Sequence, residues 1–188
     1  HEMIQSVVLQ FLNKDECKHC IQNIINSFNA IIPEQLNEFM HSCANRFYFL
    51  MHLDAIIKQA MKYKIYSNDL IELYLRKLKF YLPEKRDSKM SQEAISEISE
   101  IVGKVKRIKN LTLARFHLRK VNFYAWRAGD SDKSLDQLKV AEQYLKFCDT
   151  AYEEQLMLYS KFVQTLVLRG ELDHALQYSD LAKGLIAK

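Results

Sequence analysis

Four glycines and two prolines in a 188-residue chain are too few to punctuate a many-stranded fold, because tight hairpins draw on both residues at nearly every turn. The same scarcity excludes a glycine-rich loop of the kind that cradles phosphate. No apolar run approaches the roughly 18 residues that a membrane span requires. The first residues carry no basic segment followed by an apolar stretch and a small-residue cleavage site, so the expected location is the cytosol. Charge of one sign is also in short supply. A formal +4 and a pI near 8.8 fall short of a dedicated nucleic-acid binder, which makes nucleic acid a disfavoured partner. The four cysteines, Cys17, Cys20, Cys43 and Cys148, are even in number, yet a chain with ample apolar mass and no secretion signal predicts reduced thiols.

What the chain has is apolar residues, 48% of the total, spaced for helices. Cys17, Cys20, Ile21, Ile24, Ile25 and Phe28 step by threes and fours and predict a helix over 15–32, capped by Asp15 and stopped by Pro33. The same period runs from Leu36 to Ala60, as one long helix or as two with a break near His52 to Asp54. Ser67 or Asn68 caps a helix that runs through Leu82. Pro83 with the polar stretch after it is the best joint, and Ser91 opens a helix through Ile108. Within that helix Glu100 and Lys104 are one turn apart, in the favourable acid-to-base order. The stretch from Leu111 to Ala125 is apolar on most sides and is therefore central, whether packed or lining a cavity. Three more helices are predicted over 131–147, 152–168 and 172–186. The fold class is all-α, long helices on short links, in a chain long enough to bury roughly 70% of its unfolded surface as one domain.

Gly129 and Gly170 start matching segments 41 residues apart, "RAGDSDKSLDQLKVA" over "LRGELDHALQYSDLA". Each glycine can take the left-handed conformation that ends a helix, and each is followed by an acid that helps open the next. Five residues on comes Ser134 or Ala175, and twelve on comes Ala141 or Ala182, all small enough for two antiparallel helices to approach closely. This pattern, carried by residues 115–147 and 156–187, resembles the tetratricopeptide repeat, in which a glycine-acid turn and two alanines join a helix pair. The separation exceeds that family's period of about 34, which implies longer helices or a longer link. Residues 68–109 read as a further pair with Ala94 in the small-residue role.

The resemblance implies antiparallel hairpins stacked as a right-handed superhelix over 67–188, continuous as one domain with N-terminal hairpins over 1–66. Such a stack has a concave groove lined by the first helix of each pair. The groove positions that it implies are Phe116, Arg119, Phe123, Trp126 and Arg127 in one copy, and Met157, Ser160, Gln164, Val167 and Leu168 in the other. Of these, Phe116, Arg119, Phe123, Trp126, Arg127, Ser160 and Gln164 form the candidate peptide site. Arg119 and Arg127 would fork onto a carboxylate or backbone carbonyls, while Phe123 and Trp126 offer flat apolar area or else pack inward.

Other constellations are weaker. "CKHC", residues 17–20, could bind zinc or form a redox pair, but both thiols share the apolar face of a helix and no strand precedes them, so core packing is preferred. The six histidines are dispersed, His117 included, and no nucleophilic arrangement accompanies them. The basic run from Lys104 to Lys120 reads as a solvated face, with phosphate binding as its alternative. The expected role is a protein- or peptide-binding scaffold whose partner carries an acidic segment, with no metal, no cofactor and no catalytic centre. A peptide-sensing regulatory domain and a basic nucleic-acid-binding domain are the alternatives. The last residues, "ALQYSDLAKGLIAK", keep an apolar face where a repeat array would end on a polar one, which predicts truncation or a homodimer through the terminal helices.

Overall fold

A computed structural model describes residues 12–32, 46–81, 88–125 and 129–187. Among these residues every regular element is an α-helix: α1 (Lys14–Ile31), α2 (Arg46–Lys62), α3 (Asn68–Tyr81), α4 (Ser88–Lys104), α5 (Asn110–Phe123), α6 (Ser131–Leu145), α7 (Tyr152–Leu168) and α8 (Leu172–Ile186). None of them is long and apolar enough to cross a membrane. Two compact units divide the chain, one of residues 1–84 with 98–106 and the other of 85–97 with 107–188, so the boundary falls within α4.

The first unit packs α1, α2 and α3 on one another. α1 starts two residues earlier than its acidic residues suggest, because Asn13 and not Asp15 caps it. The Asn13 side chain accepts from the Asp15 and Glu16 amides at 3.0 Å, and Glu16 accepts the Asn13 amide at 2.7 Å, a reciprocal box that satisfies both ends. Cys17, Ile21 and Ile25 are buried along one stripe, but Cys20, expected on the same apolar face, is exposed, because a three-residue step turns it some 60° off that stripe. α2 continues unbroken through His52–Asp54, which removes the alternative of a break there. Lys64, with φ of 56°, ends the turn after α2 with no glycine, held by the Ile65 amide donating to the Ala60 carbonyl at 2.8 Å. Ser67 caps α3 by accepting the Leu70 amide at 3.2 Å. A polar seam closes the unit: Gln22 donates to Asp69 at 3.3 Å, Asn29 donates to the Asp69 carbonyl at 2.8 Å, and Lys77 pairs with Asp54 at 2.5 Å. Lys104 pairs with Glu100 as their spacing anticipates, and its ammonium lies 5.1 Å from the centre of the Tyr66 ring.

In the second unit α5 packs on α6, α6 on α7 and α7 on α8, and α5 also touches α7. One core serves all four helices, with Ala114, Leu118 and Val121 from α5, Leu138, Ala141 and Leu145 from α6, Leu158, Phe162 and Leu166 from α7, and Ala175 from α8. Gly129 and Gly170 both have positive φ, 63° and 76°. At the second turn the Glu171 amide donates to the Leu166 carbonyl at 2.9 Å and the Gly170 amide to Val167 at 3.0 Å, the paired bonds of a glycine-ended helix. At the first, the Asp130 amide reaches back to Tyr124 at 3.0 Å and its carboxylate caps α6 by accepting the Lys133 amide at 2.9 Å. Ser134, Ala141 and Ala175 are buried, and Ala182 is half-buried.

Candidate binding face

Helix periodicity puts Arg115, Arg119 and Asn122, at i, i+4 and i+7, on one stripe of α5. On α7, Glu154 and Lys161 are likewise seven residues apart. Where the two helices meet, these stripes interlock. Arg115 donates to Glu154 from Nε at 2.8 Å, and its Nη2 lies 2.7 Å from the same oxygen. Lys161 donates to Asn122 Oδ1. The ends of the two hairpins are tied as well, because Arg169 binds Asp132 at the start of α6 and Glu171, at 2.6 Å, beside its own turn.

The two bonds across α5 and α7 are not equivalent. Arg115 meets an opposite charge, which offsets the cost of taking both groups partly out of water. Lys161 meets a neutral amide, and among the described residues Asn122 is its partner. Burial, followed by the repulsion of Arg119, lowers the Lys161 pKa from 10.5 to about 8. A partly buried positive spot therefore lies between α5 and α7.

Of the residues singled out in the sequence, Arg119 is half-buried in this spot, and Ser160 and Gln164 are exposed on the next face of α7. Phe116 and Phe123 are buried, and the burial follows from α5 being apolar on most sides. Lys120 covers the Phe116 ring at 5.3 Å, and burial pushes its own pKa down. Trp126 and Arg127 lie outside the described residues. His117 is structural: its Nδ1 is 2.8 Å from Gln137 Oε1, its ring stacks on Tyr144 at 5.7 Å, and burial lowers its pKa. Cys17, Cys20 and Cys148 are free thiols, and Cys43 and His41 lie outside the described residues. No group of three potential metal ligands occurs among the described residues.

Sequence reasoning passed over Glu154 and Lys161, and it read Arg115 only as part of a solvated basic run. A signal for them existed: a seven-residue step from Arg115 to Asn122 faces a seven-residue step from Glu154 to Lys161. It becomes legible only once α5 and α7 are known to be neighbours. No protein-family model matches the chain, and neither a curated protein nor a solved structure matches it.

Proposed function

We propose that the chain is a non-catalytic scaffold that binds an acidic peptide segment of a partner protein on the face shared by α5 and α7. In this reading α5–α6 and α7–α8 are two hairpins of the tetratricopeptide kind, stacked so that their first helices form the floor of a groove. Buried Ser134, Ala141 and Ala175 support it, because small side chains at those positions let antiparallel helices close on each other. The exposed thiol of Cys20 suits a reducing compartment inside the cell.

The observation that carries the binding role is Lys161. An ammonium with a neutral partner in a partly desolvated place costs stability, and an arriving carboxylate would offset that cost. The charge of Arg119, which lowers the Lys161 pKa, adds to the same positive field. Ser160 and Gln164 offer hydrogen bonds to a peptide backbone on the solvent side.

Fluorescence anisotropy with labelled acidic and neutral peptides tests this. Acidic peptides bind, neutral ones of the same length do not, and added salt weakens the complex. Lys161→Met weakens binding about 10- to 100-fold, the worth of one charge-assisted hydrogen bond, and Gln164→Ala weakens it less. Affinity for the acidic peptide falls as pH rises past 8, because the free protein gives up the Lys161 proton that the complex needs. Equal affinity for acidic and neutral peptides, or none for either, refutes the reading.

A further inference from the structure

Near its start, α1 carries two thiols three residues apart whose surroundings differ. Cys17 is 1% exposed, and its thiol donates to the Leu12 carbonyl at 3.8 Å. The hydroxyl of Tyr63, the residue after α2, bonds to the same sulfur, an interaction that raises the Tyr63 pKa. Cys17 therefore ties the start of α1 to the end of α2. Cys20 is exposed and open to reagents in solvent. Both belong to the first unit, so what they do is independent of the acidic-peptide reading, which concerns the second.

We propose that Cys17 and Cys20 are a reversible disulfide pair, in which Cys20 meets the oxidant, Cys17 resolves the intermediate, and closure loosens the joint between α1 and α2. Three residues apart on a helix, their Cα atoms are about 5 Å from each other, inside the range of roughly 4.4–6.8 Å that a disulfide spans. Their Cβ atoms, at about 5–6 Å, must approach by roughly 1–2 Å before the bond can close. The chain can yield at the turn that Cys17 ends. Its amide makes the first backbone bond of the helix, to Asn13 at 3.0 Å, and the Asp15 and Glu16 amides before it bond to the Asn13 side chain instead of to a helical turn. A bond closed against such strain is more oxidising than a structural disulfide and is readily reduced again. In a reducing compartment both thiols stay free, and a rise in oxidant closes the pair.

The oxidant is a low-molecular-weight disulfide such as oxidised glutathione. The Cys20 thiolate attacks one of its sulfurs, the S–S bond breaks, and one glutathione leaves. The Cys17 sulfur then attacks the Cys20 sulfur of the mixed disulfide and expels the second glutathione. The protons of Cys20 and Cys17 end on the two glutathiones, so the pair is oxidised and the reagent reduced. Once its sulfur turns to Cys20, Cys17 no longer holds the Leu12 carbonyl or the Tyr63 hydroxyl.

Treatment of the full chain with oxidised glutathione, followed by peptide mapping in a mass spectrometer, decides the matter. The wild-type chain gives a Cys17–Cys20 linkage, lighter by two hydrogens, with no glutathione left on either residue. Cys17→Ser, in which nothing resolves the intermediate, keeps a glutathione on Cys20. Cys20→Ser takes up none at Cys17, because that thiol is buried. Cys43→Ser and Cys148→Ser form the linkage as the wild type does. Hydrogen exchange of the oxidised chain shows α1 losing amide protection while α6, α7 and α8 keep theirs, and dithiothreitol restores it. The wild-type result needs no substitution to be read. A glutathione that persists on Cys20 of the wild-type chain, a linkage of either thiol to Cys43 or Cys148, or no reaction overturns the proposal, and so does an oxidised chain whose α1 stays protected.

Discussion

The hairpins α5–α6 and α7–α8 share a skeleton and almost nothing else. Both turn on a glycine of positive φ followed by an acid, and both bury a small residue five positions later. Where the second hairpin stacks Phe162 on Tyr178, with ring centres 4.0 Å apart, the first has Val121 and Gln137, and Gln137 binds His117 instead. α5 is buried nearly all round, whereas α7 leaves Met157, Ser160 and Gln164 in solvent. α6 is covered by α7, and α8 leaves Leu172, Leu176 and Ile186 exposed. The difference teaches that backbone approach is fixed by a few small residues and left-handed turns, while the outward chemistry varies freely. Binding is therefore to be sought where the two copies disagree.

The sharpest way to break this comparison is to put alanine at the same register in both copies. Leu138→Ala removes a fully buried side chain from the shared core and costs about 2–5 kcal/mol. Ser179→Ala, 41 residues on, stays within about 0.5 kcal/mol, because it removes one hydroxyl from a half-buried position outside the core. Urea unfolding of both variants measures the gap, and similar costs would mean that α8 is covered as α6 is.

Next in size is the asymmetry between the two bonds that join α5 to α7. Below pH 8 Lys161 is charged both in the native and in the unfolded chain, and the native surroundings disfavour that charge, so the penalty is fully present. Between about 8 and 10.5 the native chain releases the proton first, and stability attributable to this group rises with pH. Lys161→Met therefore stabilises the fold at pH 7, by roughly 2 kcal/mol after allowance for solvent screening, and the gain shrinks towards zero at pH 10. The variant gains stability as it loses the acidic peptide, a combination expected of a functional residue and not of a structural one. Paired melts at the two pH values check it, and a gain of equal size at both would remove the burial argument.

The all-α class and the second hairpin were legible because apolar spacing and glycine turns are local properties. α7 and α8 have the ends that their sequence implies, Tyr152–Leu168 and Leu172–Ile186. Ends set by side-chain caps were less legible. Asn13 and Asp15 can both cap, and only the partner Glu16 at the right step decides between them. The unbroken α2 shows that His52 and Asp54 can face outward or towards Lys77 without interrupting a helix. At the candidate site Arg119, Ser160 and Gln164 were accessible to reasoning by repeat position. Glu154 and Lys161 were not, because their significance lies in a contact between residues nearly forty positions apart.

The smallest effect tests the turn itself, with glycine to alanine at four places. A Cβ at Gly129, Gly170, Gly103 or Gly184 would meet no atom within 4 Å, so crowding is the same at each and only the backbone differs. At Gly129 and Gly170, φ of 63° and 76° puts an added Cβ against the following carbonyl, and alanine costs about 1 kcal/mol at each. Gly103 and Gly184 lie within α4 and α8, where alanine loses less backbone freedom on folding and stabilises by about 0.5–1 kcal/mol. One chemical change thus has opposite signs at two pairs of sites. Thermal melts of the four single variants would show Gly129→Ala and Gly170→Ala below the parent and Gly103→Ala and Gly184→Ala above it. If all four moved in the same direction, the left-handed turns would not be what separates the paired helices, and the shared skeleton of the two hairpins would need another cause.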